Sequence, residues 1–458
     1  MLGTNLLLSF LVACKDDDDD GGLLTVVTDP EEEFGPKIGT TPNFYGKVPK
    51  NLLWVSIDTF RRDHLGRWGN QDLTDFMDDM VDHAFVADAH HTCSNWTYAG
   101  TTCNLLGRTH EEDGFQPKLS GTYKEPMPEG TKMLPDWLRP AGFHSIVVSS
   151  NSWYSPEWKS TQGFDEEYLP SNGAAMAVAN EGISRLQTAL DSGVASERWF
   201  LHLHIKEPHA PYNPPESYLD GIEELPAIEW DLSNKDEQYA LLAEYPTMTA
   251  AEQDALQQHL EFRYAAEVAY TDDLVADMWK EFQKADMLED TLVVFWNDHG
   301  EQMWEHANQG HAYKLNGEEN LGFLWFWAQN VVADVWTEPT SSIDVAPTLL
   351  NLYGIDIPLE VTGLPIGQAE PDRAIFASTD SRLVPRHMVR KGDYRMEFSY
   401  DGQLWMYDLA SDPGETDDVF DVADPLAQEL WDALEPQVLL GQPLMSEHDL
   451  TLPAIANN

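Results

Sequence analysis

The chain has 458 residues, 42 % of them hydrophobic, so it is long enough to bury a large core and to form two or more domains. It contains 27 Lys and Arg against 79 Asp and Glu, a formal net charge of −52 at pH 7. A surface this acidic repels nucleic acids and anionic polymers, which excludes nucleic acid as a partner. Two kinds of protein carry such a charge: one adapted to high salt, and an exported protein with a solubilising surface.

The N-terminus carries the pattern of an export signal. Residues 6–13 form an apolar run that is too short to span a bilayer, and the run ends in Leu11-Val12-Ala13-Cys14. This ending resembles a bacterial lipoprotein signal, which implies that residues 1–14 are the signal and that Cys14 is lipidated. Residues 1–5 lack the Lys or Arg that such a signal would have. We therefore expect an exported protein of the bacterial cell envelope, held to a membrane by lipid alone, on the periplasmic or outer surface.

The rest of the chain divides into three parts by composition. Residues 15–48 are rich in Asp, Glu, Gly, Pro and Thr and are predicted to form an acidic linker. Residues 49–372 alternate apolar, strand-like runs with helical stretches, which predicts an α/β domain built on a doubly wound, mainly parallel sheet with helices on both faces. Residues 373–458 have shorter periods and are predicted to form a small antiparallel subdomain.

The predicted elements can be placed by periodicity. Strands of the large domain are predicted at 52–57, 145–149, 199–205, 291–296 and 322–327. Its helices are predicted at 174–191, 250–285 (with a break) and 342–353. The C-terminal subdomain is predicted to contain strands at 394–400 and 403–407 and a closing helix at 425–434.

Two of the predicted strands end on carboxylates. Asp58 follows the first apolar run, and Asp298 with His299 follows the run at 291–296. Buried parallel strands deliver such residues to the carboxyl edge of the sheet, where α/β enzymes keep their sites. The alternative for Asp58 is that it caps the next helix.

Four segments, in order and close to the expected spacing, resemble the sulfatase family within the alkaline phosphatase superfamily. They are the strand ending at Asp58, the stretch 94–107, the loop Glu207-Pro208-His209-Ala210-Pro211-Tyr212, and the Asp298-His299-Gly300 segment. Further similarities at 162–165, 342–350 and 404–415 extend the resemblance over about residues 50–440. The resemblance implies an alkaline-phosphatase-like fold and a hydrolase of sulfuric or phosphoric esters.

The resemblance also implies one divalent metal ion. Asp58, Asp298 and His299 occupy the positions of the family's metal ligands. Two carboxylates with one imidazole suit a hard to borderline cation, which leaves calcium, manganese, magnesium and zinc open.

Thr97 occupies the position of the family's nucleophile. The start of a helix suits such a residue, because free backbone N–H groups there stabilise an anionic group. The alternative is that Thr97 is a plain N-cap. The family's usual nucleophile is a Cys or Ser that is converted to formylglycine, which a Thr cannot become, and its usual Pro and Arg are replaced by Ala99 and Thr101.

Three basic side chains are implied to act on the substrate. His209 would contact an ester oxygen or protonate the leaving group, and His311 and Lys314 would bind the ester oxygens. His202 and His204 share one face of their strand and are interpreted as structural or supporting residues. Cys93 and Cys103 flank the nucleophile segment, and in an exported protein such a pair is expected to form a disulfide, with two buried thiols as the alternative.

Three functions remain open from the sequence. The first is hydrolysis or transfer of a phosphate ester through Thr97, and the second is a sulfatase with an unconverted nucleophile. The third is a non-catalytic, metal-binding surface lipoprotein. The expected substrate is an ester of a small molecule, a glycan or a lipid.

Overall fold

The computed structural model describes residues 24, 27, 29–69, 72–115, 126–170, 173–380, 382 and 384–441. The lipidation residue Cys14 and the first part of the predicted linker lie outside the described residues. The later part of that linker includes helix α1 (Pro30–Phe34) and the fully buried Phe44, whose backbone pairs with Val331. The chain from about Phe44 onward therefore packs against the large domain.

The strands of the described residues, in chain order, are β1 (Asn51–Ile57), β2 (Phe85–Ala87), β3 (His90–His91), β4 (Phe143–Ser149), β5 (Glu166–Tyr168), β6 (Arg198–Ile205), β7 (Thr291–Asn297), β8 (Gln302–Met303), β9 (Gln309–Gly310), β10 (Leu324–Trp327), β11 (Asp334–Trp336), β12 (Thr340–Ser341), β13 (Ile375–Thr379), β14 (Arg386–Lys391), β15 (Tyr394–Ser399) and β16 (Leu404–Asp408).

The α-helices that follow α1 are α2 (Gly66–Gly69), α3 (Asp75–Asp82), α4 (Thr97–Leu106), α5 (Leu134–Leu138), α6 (Ala175–Ser192), α7 (Lys235–Glu244), α8 (Ala250–Lys284), α9 (Gly317–Asn320), α10 (Val345–Leu352) and α11 (Pro425–Gly441). Among these helices, none combines the length and the apolar character that crossing a bilayer requires.

A central sheet organises the large domain, with the strand order β11-β2-β10-β7-β1-β6-β4-β5. Only β10 runs antiparallel to its neighbours within this sheet, so the predicted mainly parallel sheet is confirmed. β1 lies between β7 and β6, and every one of its residues is buried. A strand buried on both faces needs apolar residues throughout, as β1 has, apart from its first residue and Ser56.

The two faces of the sheet pack against different helices. Leu53, Val55 and Ile57 of β1 point to one core, which also contains residues of α3, α6 and α8. Leu52 and Trp54 point to a second core with residues of α4, α5 and α10. Helices therefore cover both faces, as predicted.

The C-terminal part forms its own small sheet, with β13 to β16 in sequential antiparallel order. Helix α11 packs on this sheet through Leu430, Trp431 and Leu434 and continues beyond the predicted end at residue 434. Helix α8 runs without the predicted break.

Candidate active site

The first feature of the site is the juxtaposition of Asp58 and Asp298. Ile57 at the end of β1 pairs with Asn297 at the end of β7, so the next residue of each strand emerges at the same edge of the sheet. Both carboxylates are fully buried. The backbone N–H groups of Thr59 and His299 donate to Oδ1 of Asp298 at 3.2 and 2.9 Å, which turns Oδ2 away from them.

Asp58, Asp298 and His299 form the group of potential ligands that the sequence predicted. One ligand atom from each lies within 4.8 Å of the other two. His299 Nε2 is 3.6 Å from Asp58 Oδ1 and 3.7 Å from Asp298 Oδ2. The Nδ1–H of His299 donates to the carbonyl oxygen of Gly300 at 2.8 Å, which leaves the lone pair of Nε2 facing the two carboxylates.

The donor atoms of this group fit a divalent cation. Asp298 Oδ2 and His299 Nε2 are buried and have no hydrogen-bond partner among the described residues. Burial and the neighbouring Asp58 charge raise the pKa of Asp298 well above its usual value. For Asp58 burial acts in the same direction, but His209 and His204 outweigh it and lower the pKa. Burial, followed by His311, lowers the pKa of His299 to about 3, so its imidazole is neutral, as a ligand must be.

Thr97 is the first residue of α4, and its side chain points to this group. Its Oγ1 lies 3.5 Å from Asp58 Oδ1, and the residue is only 3 % exposed. Gly100 makes the approach of α4 feasible, because a Cβ at this position would lie 2.4 Å from the carbonyl oxygen of Asp298. The helix start is preceded by Trp96, whose side chain does not cap it, so its N–H groups stay available for an anion.

Asn151 completes this part of the site and was missing from the sequence prediction. Its Nδ2 donates to Asp58 Oδ2 at 2.9 Å and lies 3.4 Å from Thr97 Oγ1. Asn151 comes two residues after β4, and β4 reaches β1 only through β6. The signal that could have identified it is its place just after the predicted strand at 145–149, at the carboxyl end of a parallel strand.

His209 and His311 lie beside the metal group. Their ring centroids are 5.3 Å apart, and the rings of His299 and His311 are 4.5 Å apart. The Nδ1 of His209 is 2.7 Å from the Ala210 carbonyl oxygen, and the Nδ1 of His311 is 2.9 Å from Glu301 Oε1. Both rings therefore keep Nε2 for a substrate. Glu301, which the sequence prediction did not assign, is fully buried, and burial raises its pKa to about 7.

The loop that carries His311 is fastened to the segment before α4. The carboxylate of the buried Glu319 accepts from the backbone N–H of Ala312 and from Asn95 Nδ2, both at 2.7 Å. The predicted substrate-binding residue Lys314 does not join the histidines. Its Nζ donates to the carbonyl oxygen of His306 at 3.3 Å, and its side chain lies among Arg386, Glu397 and Glu319.

An open cleft is lined by His209, His311 and Glu301. Helix α7 contributes Lys235, Gln238 and Leu242 to its walls, and β9 contributes Gln309. Tyr212 and Arg382, from the loops after β6 and β13, complete them. The cleft offers room for the part of a substrate that extends away from Thr97.

Cys93 and Cys103 are joined by a disulfide in the structure, with their Cα atoms 6.6 Å apart. The bond ties the segment before Thr97 to the second half of α4. The C-terminal sheet supports the same segment, because Ser94 Oγ donates to the carbonyl oxygen of Ser378 at 2.7 Å.

Comparison with known proteins places this site in a family. The family model described as Sulfatase matches residues 50–355. An arylsulfatase of Clostridium perfringens is 25 % identical over 61 % of this chain and 60 % of its own length. A choline-sulfatase of Rhizobium meliloti is 25 % identical over 71 % of this chain and 65 % of its own length. The chain thus matches less than two thirds of the length of these two relatives.

Solved structures share the fold. The phosphonate monoester hydrolase of Silicibacter pomeroyi is 19 % identical, with a TM-score of 0.63, over 88 % of this chain and 97 % of the other. This agrees with the alkaline-phosphatase-like α/β architecture, in which β1, β6 and β7 deliver the site residues to one edge. Since the family model covers more than half of its length, the chain belongs to the sulfatase family.

Proposed function

We propose that the chain is a metal-dependent hydrolase of sulfuric or phosphoric esters that uses Thr97 as its nucleophile. One observation carries the proposal: Thr97 Oγ1 lies at the start of α4 and 3.5 Å from Asp58 Oδ1, an oxygen of the three-residue metal group. A hydroxyl between a helix N-terminus and a metal ligand is where an in-line attack on an anionic ester would begin. The family membership supports the same class of reaction.

Asp58, Asp298 and His299 would hold the metal ion through three atoms that lie within 4.8 Å of one another. When bound, a divalent ion supplies Lewis-acid chemistry, polarising an ester oxygen and favouring the ionised form of a nearby hydroxyl. Calcium, manganese, magnesium and zinc all remain compatible with this donor set.

The protein residues would carry out the remaining steps. Thr97 Oγ releases its proton to water and forms a bond to sulfur or phosphorus, while the bond to the leaving oxygen breaks on the opposite side. His209 would pass a proton from Nε2 to that leaving oxygen, and His311 would contact the ester oxygens. Water then attacks the sulfur or phosphorus of the Thr97 ester and restores the hydroxyl. The N–H groups at the start of α4 would stabilise the anionic oxygens throughout.

We favour a phosphorus ester over a sulfate ester. Because Thr97 cannot become formylglycine, it cannot release its ester by elimination, and a second attack at the central atom is required. Such an attack is typical of phospho-threonine intermediates in phosphodiesterases and phosphotransferases of the superfamily. The similarity to a phosphonate monoester hydrolase supports this preference, and the cleft beside His311 would accept a small-molecule, glycan or lipid leaving group.

A panel of chromogenic esters tests the proposal. Metal-stripped protein is supplied in turn with Mn²⁺, Mg²⁺, Ca²⁺ or Zn²⁺ and assayed with p-nitrophenyl phosphate, bis-p-nitrophenyl phosphate, p-nitrophenyl phenylphosphonate and p-nitrophenyl sulfate. We expect turnover of at least one phosphorus ester, loss of turnover in Thr97→Ala, and retention of part of it in Thr97→Ser.

Thr102→Ala is the matched control for this panel. Thr102 is equally buried in α4, but its Oγ1 contacts the Tyr98 carbonyl oxygen and His110 rather than Asp58. Its substitution should leave the rate near that of the unmodified protein. Absence of turnover with every ester and every metal would contradict the proposal and favour a non-catalytic, metal-binding protein.

We further propose that the protein is exported and anchored through a lipid on Cys14. The apolar run before Cys14 and the disulfide between Cys93 and Cys103 support an oxidising, extracytoplasmic location. Incorporation of labelled palmitate that is lost in Cys14→Ser would support the anchor. The net charge of −52 leads us to expect a melting temperature that rises with KCl concentration, whereas a flat curve would contradict adaptation to high salt.

A further inference from the structure

A fully buried polar chain lies behind the carboxylate of Asp58. Ser56 of β1 pairs in register with His204 of β6, and His202 is two residues earlier on the same face. Ser56 Oγ is 2.8 Å from His204 Nδ1 and 3.1 Å from His202 Nε2. All three residues are 0 % exposed, and His204 Nε2 lies 3.4 Å from Asp58 Oδ2.

Aromatic rings fix the two imidazoles in place. Tyr154 stacks on His204 with ring centroids 4.6 Å apart, and Trp54 stacks on His202 at 5.6 Å. Because these rings cannot swing away within a close-packed core, the hydrogen bonds to Ser56 set the direction in which His204 Nε2 points. That direction is toward Asp58.

The protons can be assigned from the contacts. A serine hydroxyl has one proton to donate, and Ser56 Oγ has three neighbours: His204 Nδ1 at 2.8 Å, His202 Nε2 at 3.1 Å and the Leu203 carbonyl oxygen at 3.4 Å. We assign the proton to the shortest contact, His204 Nδ1, so that His202 Nε2–H donates to Ser56 Oγ. With Nδ1 accepting from Ser56, the ring of His204 carries its proton on Nε2, the atom that faces Asp58 Oδ2. The chain therefore runs in one direction, from His202 through Ser56 and His204 to the carboxylate.

The two oxygens of Asp58 have different surroundings as a result. Oδ2 faces the donors His204 Nε2 and Asn151 Nδ2, at 3.4 and 2.9 Å. Oδ1 faces Thr97 Oγ1 and His299 Nε2, at 3.5 and 3.6 Å. Of the contacts to Oδ2, the one from Asn151 has hydrogen-bond geometry, whereas His204 Nε2, which has no hydrogen-bond partner among the described residues, faces Oδ2 at ion-pair distance. Groups behind a metal ligand commonly orient it in this way.

We infer that Ser56 and His204 are positioning residues that hold Asp58 with Oδ1 directed at the metal group and so raise the affinity for a divalent cation. His202 supports Ser56 in the same chain. The inference rests on the proposed metal role of Asp58, Asp298 and His299, and it assigns no contact between substrate and either histidine.

The test measures metal affinity in the full-length protein without any substrate. Metal-stripped protein is titrated separately with Mn²⁺, Ca²⁺, Mg²⁺ and Zn²⁺ by isothermal titration calorimetry. Ser56→Ala and His204→Asn should weaken the binding of at least one ion by about 10- to 100-fold, the usual loss on removing such support from a ligand. The amide of Asn can replace Nδ1 of His204 but does not reach the position of Nε2.

His204→Gln supplies the conservative rescue. The longer side chain can place an amide N–H near the position of Nε2, so we expect an affinity within a few-fold of the unmodified protein. Ser145→Ala is the matched control. Ser145 is a buried serine of β4 that donates to Asp165 at 2.8 Å, away from Asp58, and its loss should leave the affinity unchanged.

Melting curves recorded without metal separate positioning from folding. A positioning role requires that the loss of affinity does not follow the loss of melting temperature across the variants. If a His204 variant does not fold, Ser56→Ala compared with Ser145→Ala decides the matter. Two results would overturn this inference while leaving the metal assignment intact. One is a metal affinity of Ser56→Ala equal to that of the unmodified protein. The other is equal metal affinities of His204→Gln and His204→Asn. Failure of the unmodified protein to bind any of the four ions would overturn both the metal assignment and this inference.

Discussion

Thr97 Oγ1 and Asp58 Oδ1 lie 3.5 Å apart, although one residue begins a helix and the other follows a strand of the central sheet. Asp58 ends the central strand β1, and Thr97 begins a helix packed on one side of the sheet. The contact places a hydroxyl next to one of three potential metal ligands. It is the geometric basis for regarding Thr97 as a nucleophile rather than a helix cap.

Asn151 should be required for the reaction rate. Its Nδ2 donates to Asp58 Oδ2 and lies 3.4 Å from Thr97 Oγ1, so Asn151→Ala leaves a buried carboxylate oxygen with one donor fewer. Loss of such a bond costs about 1–3 kcal/mol, which corresponds to a kcat lower by roughly 10- to 100-fold. Asn330→Ala is the control, because Asn330 is also buried but donates to the carbonyl oxygens of Tyr45 and Lys47. Equal rates for the two variants would refute a role of Asn151 in the site.

Gly100 should be sensitive to the smallest substitution. A Cβ at this position would meet the Asp298 carbonyl oxygen at 2.4 Å, and the backbone must shift to accept it. We expect Gly100→Ala to lower the free energy of unfolding by about 1–3 kcal/mol and to weaken metal binding, since Asp298 moves with its carbonyl group. Gly414→Ala, where the nearest atom is 3.8 Å away, should do neither. Urea unfolding of both variants gives the comparison.

The disulfide should stabilise the region around Thr97. It joins Cys93 and Cys103 across a sequence separation of 10, and a loop of this size contributes about 2–3 kcal/mol by restricting the unfolded chain. Dithiothreitol should therefore lower the melting temperature of the unmodified protein. The Cys93→Ser, Cys103→Ser double variant should melt at that lower temperature with or without reductant. A melting temperature that does not respond to reductant would show that the bond contributes nothing to stability.

Glu267 should make stability decline as pH rises. Burial, followed by the charge of Glu207, raises its pKa from 4.5 to about 8. Between pH 4.5 and about 8, the folded state therefore keeps a proton on Glu267 that the unfolded state has released. The stability that is fully present below about pH 4.5 is lost as the pH rises through about 8. Melting temperatures of Glu267→Gln and the unmodified protein should diverge toward pH 8, with the variant higher. Part of the decline in stability with pH should remain in the Glu267→Gln variant, because Asp272 and Glu301 also have pKa values raised to about 7. Parallel curves would contradict the assignment to Glu267.

The sequence predicted those parts of the site that follow directly from strand ends. Asp58, Asp298 and His299 come immediately after buried parallel runs, and the carboxyl ends of neighbouring strands must share an edge. Thr97 and His209 could be placed because their segments resemble those of the family. In the same way, regular alternation of apolar runs predicted β1, β6 and β7 to within two residues.

The remaining parts depend on packing between distant segments. Asn151 becomes a neighbour of Asp58 only through the order β4-β6-β1, which no local pattern contains. The backbone N–H of Lys314 donates to Glu319 and its Nζ donates to the carbonyl oxygen of His306, contacts that spacing along the chain could not show. The antiparallel direction of β10 is equally invisible in a strand of four residues.

The most direct test of the central claim is to trap the ester on Thr97. Metal-loaded protein is mixed with an aryl phosphate, phosphonate or sulfate that it turns over, quenched in acid within milliseconds to seconds, and digested for mass spectrometry. The account predicts one phosphoryl, phosphonyl or sulfuryl group on the peptide containing Trp96-Thr97-Tyr98, located on Thr97 and absent from Thr97→Ala. An adduct on a different residue, or undiminished turnover by Thr97→Ala, would contradict it.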